Sequence, residues 1–179
     1  MRQALKDIGE NNSIIIYAQF SKSGGYNQRI MIKDVYNLVD NQYLADHIWL
    51  DKTEINCNRQ INDILVISGK IYRYTKNSNQ EDYGIIPSNC ILVKLFVFRG
   101  SLFFCQYSNQ SYVYYRYIQG YDPQNEYIDL QTNNIRHLVD DYNIDNETTD
   151  TIQISYNNSS LLLYKNLRAI LQDIKVQFQ

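Results

Sequence analysis

Residues 63–75 read Asp63-Ile64-Leu65-Val66-Ile67-Ser68-Gly69-Lys70-Ile71-Tyr72-Arg73-Tyr74-Thr75, the strongest strand signal in the chain. β-Branched and aromatic side chains fit a pleated, half-buried surface, and Gly69 inside the run marks a bulge or bend. Because side chains alternate across a strand, Lys70, Tyr72 and Tyr74 fall on one face. Three shorter runs of the same character precede it, at residues 13–20, 28–36 and 44–50. The Ser21-Lys22-Ser23-Gly24-Gly25 stretch supplies loop chemistry after the first. Asp51 to Gln60 separates the third run from residues 63–75, and Asp51 with Glu54 at the capping-box spacing predicts a short helix there. Residues 82–98 add further strand signal around Pro87, which belongs at an edge or a break. Three strands, a short helix and two more strands is the element order of a five-stranded OB barrel. The expectation is a mostly β chain with an OB-like five-stranded barrel and an appended α+β region, with an open sheet or a sandwich as the alternative.

The boundary falls near Cys90, giving residues 1–90 as the barrel and 91–179 as the appended part, packed on the first. Phe98-Arg99-Gly100-Ser101 reads as a hairpin turn between two apolar runs, and residues 111–117 as a tyrosine-rich strand. From Asp122 to Asp150 eight acidic residues stand against Arg136 alone, which marks a solvated acidic face. At the end, Ser159 or Ser160 caps a predicted helix whose Leu163, Leu167, Ile170, Leu171 and Ile174 recur at helical spacing.

Several short blocks in the first part carry a family resemblance. They are Gly25-Tyr26, Ile32-Lys33-Asp34-Val35, Ala45-Asp46-His47-Ile48-Trp49-Leu50, Asp63-Ile64, Gly69-Lys70-Ile71-Tyr72-Arg73-Tyr74 and Asp82-Tyr83-Gly84-Ile85. This series resembles a family of small bacterial, archaeal and phage proteins with a KDV…ADHxWF…GDxIxFxARVxxY pattern. It covers roughly residues 13–87, and Ala-Asp-His-x-Trp is its most specific block. The resemblance implies an OB-like fold and brings no activity with it. Asn62-Asp63 stands where the family has Gly-Asp, Gly69 where it has Ala, and the family's Gly-Tyr after Tyr74-Thr75-Lys76 is missing.

The chemistry legible in the residues is sparse. Cys57, Cys90 and Cys105 are odd in number, widely spaced and without a Cys-x-x-Cys pair, so they read as buried thiols. Two histidines cannot build a protein zinc site, and Asp140, Asp141 and Asp145 read as a solvated turn before they read as a magnesium site. Nucleophile elbows, phosphate-binding glycine loops and dinucleotide fingerprints are absent from the sequence. Neighbours on a strand point to opposite faces, so Asp46 is not expected to hold the His47 ring, whereas His47 and Trp49 share a face. Both Asp46 and His47 therefore read as structural. No catalytic residue, metal or cofactor is expected. No run approaches the ~20 apolar residues of a bilayer span, and the expected address is cytoplasmic, without a membrane partner.

Charge distribution directs the functional expectation. The chain is −2 overall, with 17 Lys and Arg against 19 Asp and Glu, and the basic residues concentrate in the first part. Arg29, Lys33, Lys70, Arg73 and Lys76 fall there beside Tyr26, Tyr72 and Tyr74. Cations and aromatic rings on one β surface are the means by which proteins hold single-stranded DNA or RNA. These eight residues are the candidate nucleic-acid-binding set of a non-enzymatic protein in a nucleic-acid-processing, mobile-element or defence system. The alternative is an interaction module, an accessory subunit or inhibitor of a nucleic-acid enzyme or ribonucleoprotein effector. It would meet a basic protein through Asp122–Asp150 and the tyrosine-rich strand.

Overall fold

The structure is a computed structural model that describes residues 2–24, 29–51, 61, 63–98, 101–106, 143–156 and 159–178. It is mostly β, with antiparallel ladders throughout the described registers. Two compact units emerge, Met1–Leu92 with Ile174–Gln179, and Val93–Asp173.

The first unit holds helix α1 (Gln3–Ile8) and strands β1 (Ser13–Gly24), β2 (Arg29–Asn37), β3 (Tyr43–Leu50) and β4 (Ile64–Thr75), and it takes in the start of β5 (Glu81–Phe98). Its strand order is β3-β2-β1-β4-β5. Period-two burial sets the inner face. Ile14, Ile16, Ala18 and Phe20 of β1 are buried, and the register places Ile14, Ile16 and Ala18 against Gly69, Ile67 and Leu65 of β4. Ile30 and Ile32 of β2, Ile48 and Leu50 of β3 and Tyr83 and Ile85 of β5 are buried as well, with Leu5 of α1 fully enclosed. Two irregularities interrupt the β1–β2 ladder, at Tyr17/Gln19 and Phe20/Lys22, and Asp34 of β2 adopts a φ of 53°. Extra residues of this kind bend a strand and raise its twist.

The ladders do not close. Among the described residues no register joins β3 to β5, so the sheet is open and the expected closed five-stranded barrel is not formed by strand pairing. Arg2 spans the two edges instead. Its Nε and Nη2 donate to the His47 carbonyl of β3 at 3.2 and 3.0 Å, and its Nη1 donates to the Tyr83 carbonyl of β5 at 2.7 Å. The same Nη1 reaches Asp82 Oδ2 at 3.2 Å and the Tyr74 hydroxyl at 3.0 Å, while the Arg2 main-chain N–H donates to Asp82 Oδ1 at 2.8 Å. A rigid five-donor fork suits a position that must bond several oxygens on two strands at once.

Gly69 serves a different purpose from the expected bulge. The β1–β4 register runs through it without a shift, and a Cβ there would lie 2.4 Å from the Ile86 carbonyl oxygen. Close approach of β5, and not a break in pairing, requires the glycine. Pro87 lies within β5, beside β4 in the strand order.

The second unit continues β5 and adds β6 (Ser101–Gln106), β7 (Asn143–Glu147), β8 (Thr151–Tyr156) and β9 (Ser159–Tyr164), in the order β5-β6-β9-β8-β7. Phe98 pairs with Ser101, as the hairpin reading requires. Helix α2 (Leu167–Gln177) follows β9 and runs into the residues grouped with the first unit. It starts later than the sequence suggested: Asn166, not Ser159 or Ser160, caps it, accepting the Ala169 N–H at 2.8 Å. Leu161 and Leu163 are buried while Leu162 is exposed, which is strand alternation. Leu163 thus matches the helical spacing by coincidence. The predicted helix within 51–60 and the strand at 111–117 lie outside the described residues.

Candidate functional site

The outer face of the first unit carries the candidate side chains, and pairing decides which of them meet. Tyr17 opposes Tyr36, which opposes Tyr43; Gln19 opposes Lys33, which opposes His47; Lys22 opposes Met31, which opposes Trp49. These are three cross-strand rows over β1, β2 and β3. The first is aromatic, with Tyr17 and Tyr36 stacked at 5.2 Å and Tyr43 edge-on to Tyr36 at 5.4 Å. Tyr17 donates its hydroxyl proton to Asn41 Oδ1. In the third row the Lys22 ammonium lies over the Trp49 ring, 5.7 Å from its centroid.

Arg29 continues this face beyond Met31. It forms an exposed ion pair with Asp51 at 2.9 Å, both side chains being about half in water or more (48% and 62% accessible), so solvent screens the pair. Across the open edge Tyr72 lies against β5, where Gly84 makes room: a Cβ at that position would fall 2.6 Å from the Tyr72 ring. Tyr74 tilts against Tyr72 with centroids 5.5 Å apart. The Tyr72 phenol is pushed above its ordinary pKa, first by burial and then by Tyr74, while Arg29 and Arg2 pull it down and Asp51 raises it. Arg29 and Tyr72, from separate segments, are therefore within electrostatic reach of each other.

The rest of the expected set divides. Lys33 and Lys70 share the outer face, but Lys70 opposes Ser13 and Lys33 opposes Gln19. Six residues of strand separate those partners, about 20 Å at ~3.3 Å per residue. Arg73 faces the other way and pairs with Glu10 at 3.5 Å and Glu81 at 3.2 Å. Lys76 bonds Asp82 at 2.7 Å, and the Tyr74 hydroxyl donates to the same carboxylate, so both are tied into the Arg2 seam. Tyr26 lies outside the described residues. Among the described residues Lys22, Lys33 and Lys70 have no carboxylate partner.

Sequence reasoning missed Lys22, Trp49 and the tyrosine row as members of this face; it gave Arg2 no role and quoted Asp82 only within a family block, without the seam it joins. The alternation His47/Trp49 was available. What was not available was the register that sets Lys22 beside Trp49, because it passes through an irregularity in β1.

Asp82 is 1% exposed. Burial alone would raise its pKa, but the Lys76 hydrogen bond, the Arg2 and Tyr83 main-chain N–H groups and the Arg2 charge outweigh that and hold it well below the carboxylate range. At the other end of β3 the expectation for Asp46 is corrected. Its carboxylate turns back to the adjacent residue, with Oδ2 2.9 Å from His47 Nδ1 and Oδ1 accepting the His47 N–H at 2.8 Å. That ring hydrogen bond is the first cause of a lowered Asp46 pKa. The pair is open to water. It is the His47 carbonyl, not the ring, that faces Arg2.

Among the described residues no three His, Cys, Asp or Glu side chains converge as a metal cluster, and no helix is long and apolar enough to cross a membrane. Cys105 is buried and Cys90 half-buried, and Cys57 lies outside the described residues. The acidic stretch is described from residue 143 onward, and there its carboxylates serve the second unit. Asp145 accepts from the Ser155 hydroxyl, Glu147 pairs with Lys165 at 2.7 Å and Asp150 accepts from Asn166. No family model, no curated protein and no solved structure matches the chain.

Proposed function

We propose that the first unit binds single-stranded nucleic acid on the outer face of β1–β4, acting as a non-enzymatic component of a nucleic-acid-processing system. The observation that carries this reading is the shared surface of cations and half-exposed rings, with Lys22 over Trp49 and Tyr72 packed against Tyr74. Bases present π faces that stack on aromatic side chains, and phosphates follow Lys and Arg. The strand order β3-β2-β1-β4-β5, with its first and last strands bridged through Arg2, agrees with an OB-like, partly open barrel whose edges are joined by a side chain. Such barrels hold oligonucleotides on an outer face of this kind.

Fluorescence anisotropy with labelled single-stranded DNA and RNA at low and moderate salt tests the reading. Tyr72→Ala is expected to weaken binding about tenfold, a stacking loss of roughly 1–3 kcal/mol. Lys70→Ala is expected to flatten the salt dependence by about 0.7 in log–log slope. If neither oligonucleotide binds at low salt, the proposal is wrong.

A further inference from the structure

We infer that the Trp49 ring is the stacking platform for an unpaired nucleobase, with Lys22 and Arg29 taking the phosphates on either side of it. The inference rests on the single-strand reading and narrows it to one place. Trp49 is half-buried on β3, with Met31 opposite it in the register and Arg29 at the diagonal position. A lysine ammonium occupies the space over its ring at 5.7 Å. That contact marks a ring face which is reachable from solvent and lined by positive charge. Lys22 is itself exposed, on a flexible four-carbon stem, so its head can leave the ring for a phosphate oxygen when a base enters. Arg29 is held by a screened surface pair with Asp51, a partner that a phosphate can replace at little cost.

The neighbouring row supplies the next contacts in the same direction. Lys33 and His47 lie one row from Met31 and Trp49, about 7 Å along the strands. The tyrosine row beyond them offers Tyr43, which is 49% exposed. A single strand running along β2 and β3, across these rows, thus meets ring, cation and ring in succession. A duplex keeps its bases stacked on one another and offers none to Trp49. The occupant this chemistry selects is an unpaired stretch of a few nucleotides, DNA or RNA. A proline-rich peptide, which also seeks aromatic rings, gains nothing from Lys22 and Arg29.

Trp49 is the one tryptophan of the chain, so its fluorescence reads the site directly. The full chain is titrated with short single-stranded DNA and RNA homo-oligomers, with the corresponding duplexes and with a proline-rich peptide, while anisotropy of labelled strands reports binding wherever it occurs. Saturable quenching by single strands is expected, with little or none from duplex or peptide. Trp49→Leu is expected to lose about tenfold in affinity, Trp49→Phe to keep most of it, and Lys22→Ala to lower the salt slope by about 0.7. Thermal melts of the three variants establish that each folds.

Single-strand binding by anisotropy with unchanged Trp49 fluorescence and full affinity in Trp49→Leu would overturn this inference and leave the broader reading standing. Equal quenching by duplex, or saturation by the peptide alone, would overturn it as well. Absence of all oligonucleotide binding would remove both.

Discussion

Arg2 and Asp82 join β3 and β5 of the first unit where no strand pairing does. The guanidinium supplies donors to carbonyls of two strands that no ladder joins, and the carboxylate balances its charge together with that of Lys76. Removing one partner leaves the others desolvated without compensation. Arg2→Ala and Asp82→Asn are each expected to destabilise the protein by about 3 kcal/mol at neutral pH, measured by urea unfolding. The pH dependence has a fixed sign. A carboxyl whose folded pKa lies below its ordinary 3.8 contributes fully above that value and loses its contribution as pH falls beneath it. Wild type and Asp82→Asn should therefore differ most near neutrality and converge in acid, and an unchanging gap down to the lowest accessible pH would refute this role. Gly69→Ala tests the close approach of β5. With a Cβ 2.4 Å from the Ile86 carbonyl the strands must part, and a loss of about 2 kcal/mol is expected in the same assay. None of this was readable in advance. Arg2 is a single residue near the chain start, and its partners lie 45 and 80 positions away.

Regular elements were read well wherever burial follows a period of two. β1, β2, β3 and β4 lie close to the runs that alternation picked out, because Ile14, Ile16, Ala18 and Phe20 alternate with half-buried residues as a one-sided strand demands. Errors arose where two periods fit the same residues. Leu163 and Leu167 are four apart, yet the first is a strand residue and the second opens α2, with Asn166 between them. Substituting that cap settles the boundary by experiment. Asn166→Ala should cost about 1 kcal/mol and Asn166→Asp almost nothing, by thermal or chemical unfolding. Equal losses would mean that the side-chain oxygen is not the capping group. Helix α1 escaped notice because six residues carry too little periodicity, although Gly9 ends it with a φ of 101°, a conformation open to glycine. The binding surface suffered similarly: Lys70, Tyr72 and Tyr74 share a face as alternation requires, but how far apart Lys70 and Lys33 lie depends on register, which no single strand encodes.

Across the protein, net charge gives little hint of a polyanion partner, and local arrangement supplies what the total lacks. Three lysines without carboxylate partners among the described residues, Lys22, Lys33 and Lys70, sit on the face that also carries Trp49 and Tyr72. With Arg29 they give four phosphate contacts and a log–log salt slope of about −3 for a single strand, shallow beside that of a strongly basic protein. Stacking must then provide much of the affinity, which fits a face with more rings than free cations. The acidic residues of 143–150 are bonded within the second unit, so a basic partner would have to compete for Glu147 with Lys165 and for Asp150 with Asn166. The most direct measurement is the affinity of the full chain for a labelled single-stranded oligonucleotide across a salt series. Saturable binding with a slope of about −3 is the expected result, and no binding at the lowest salt, or a slope steep enough to need many more cations than this face holds, would contradict it.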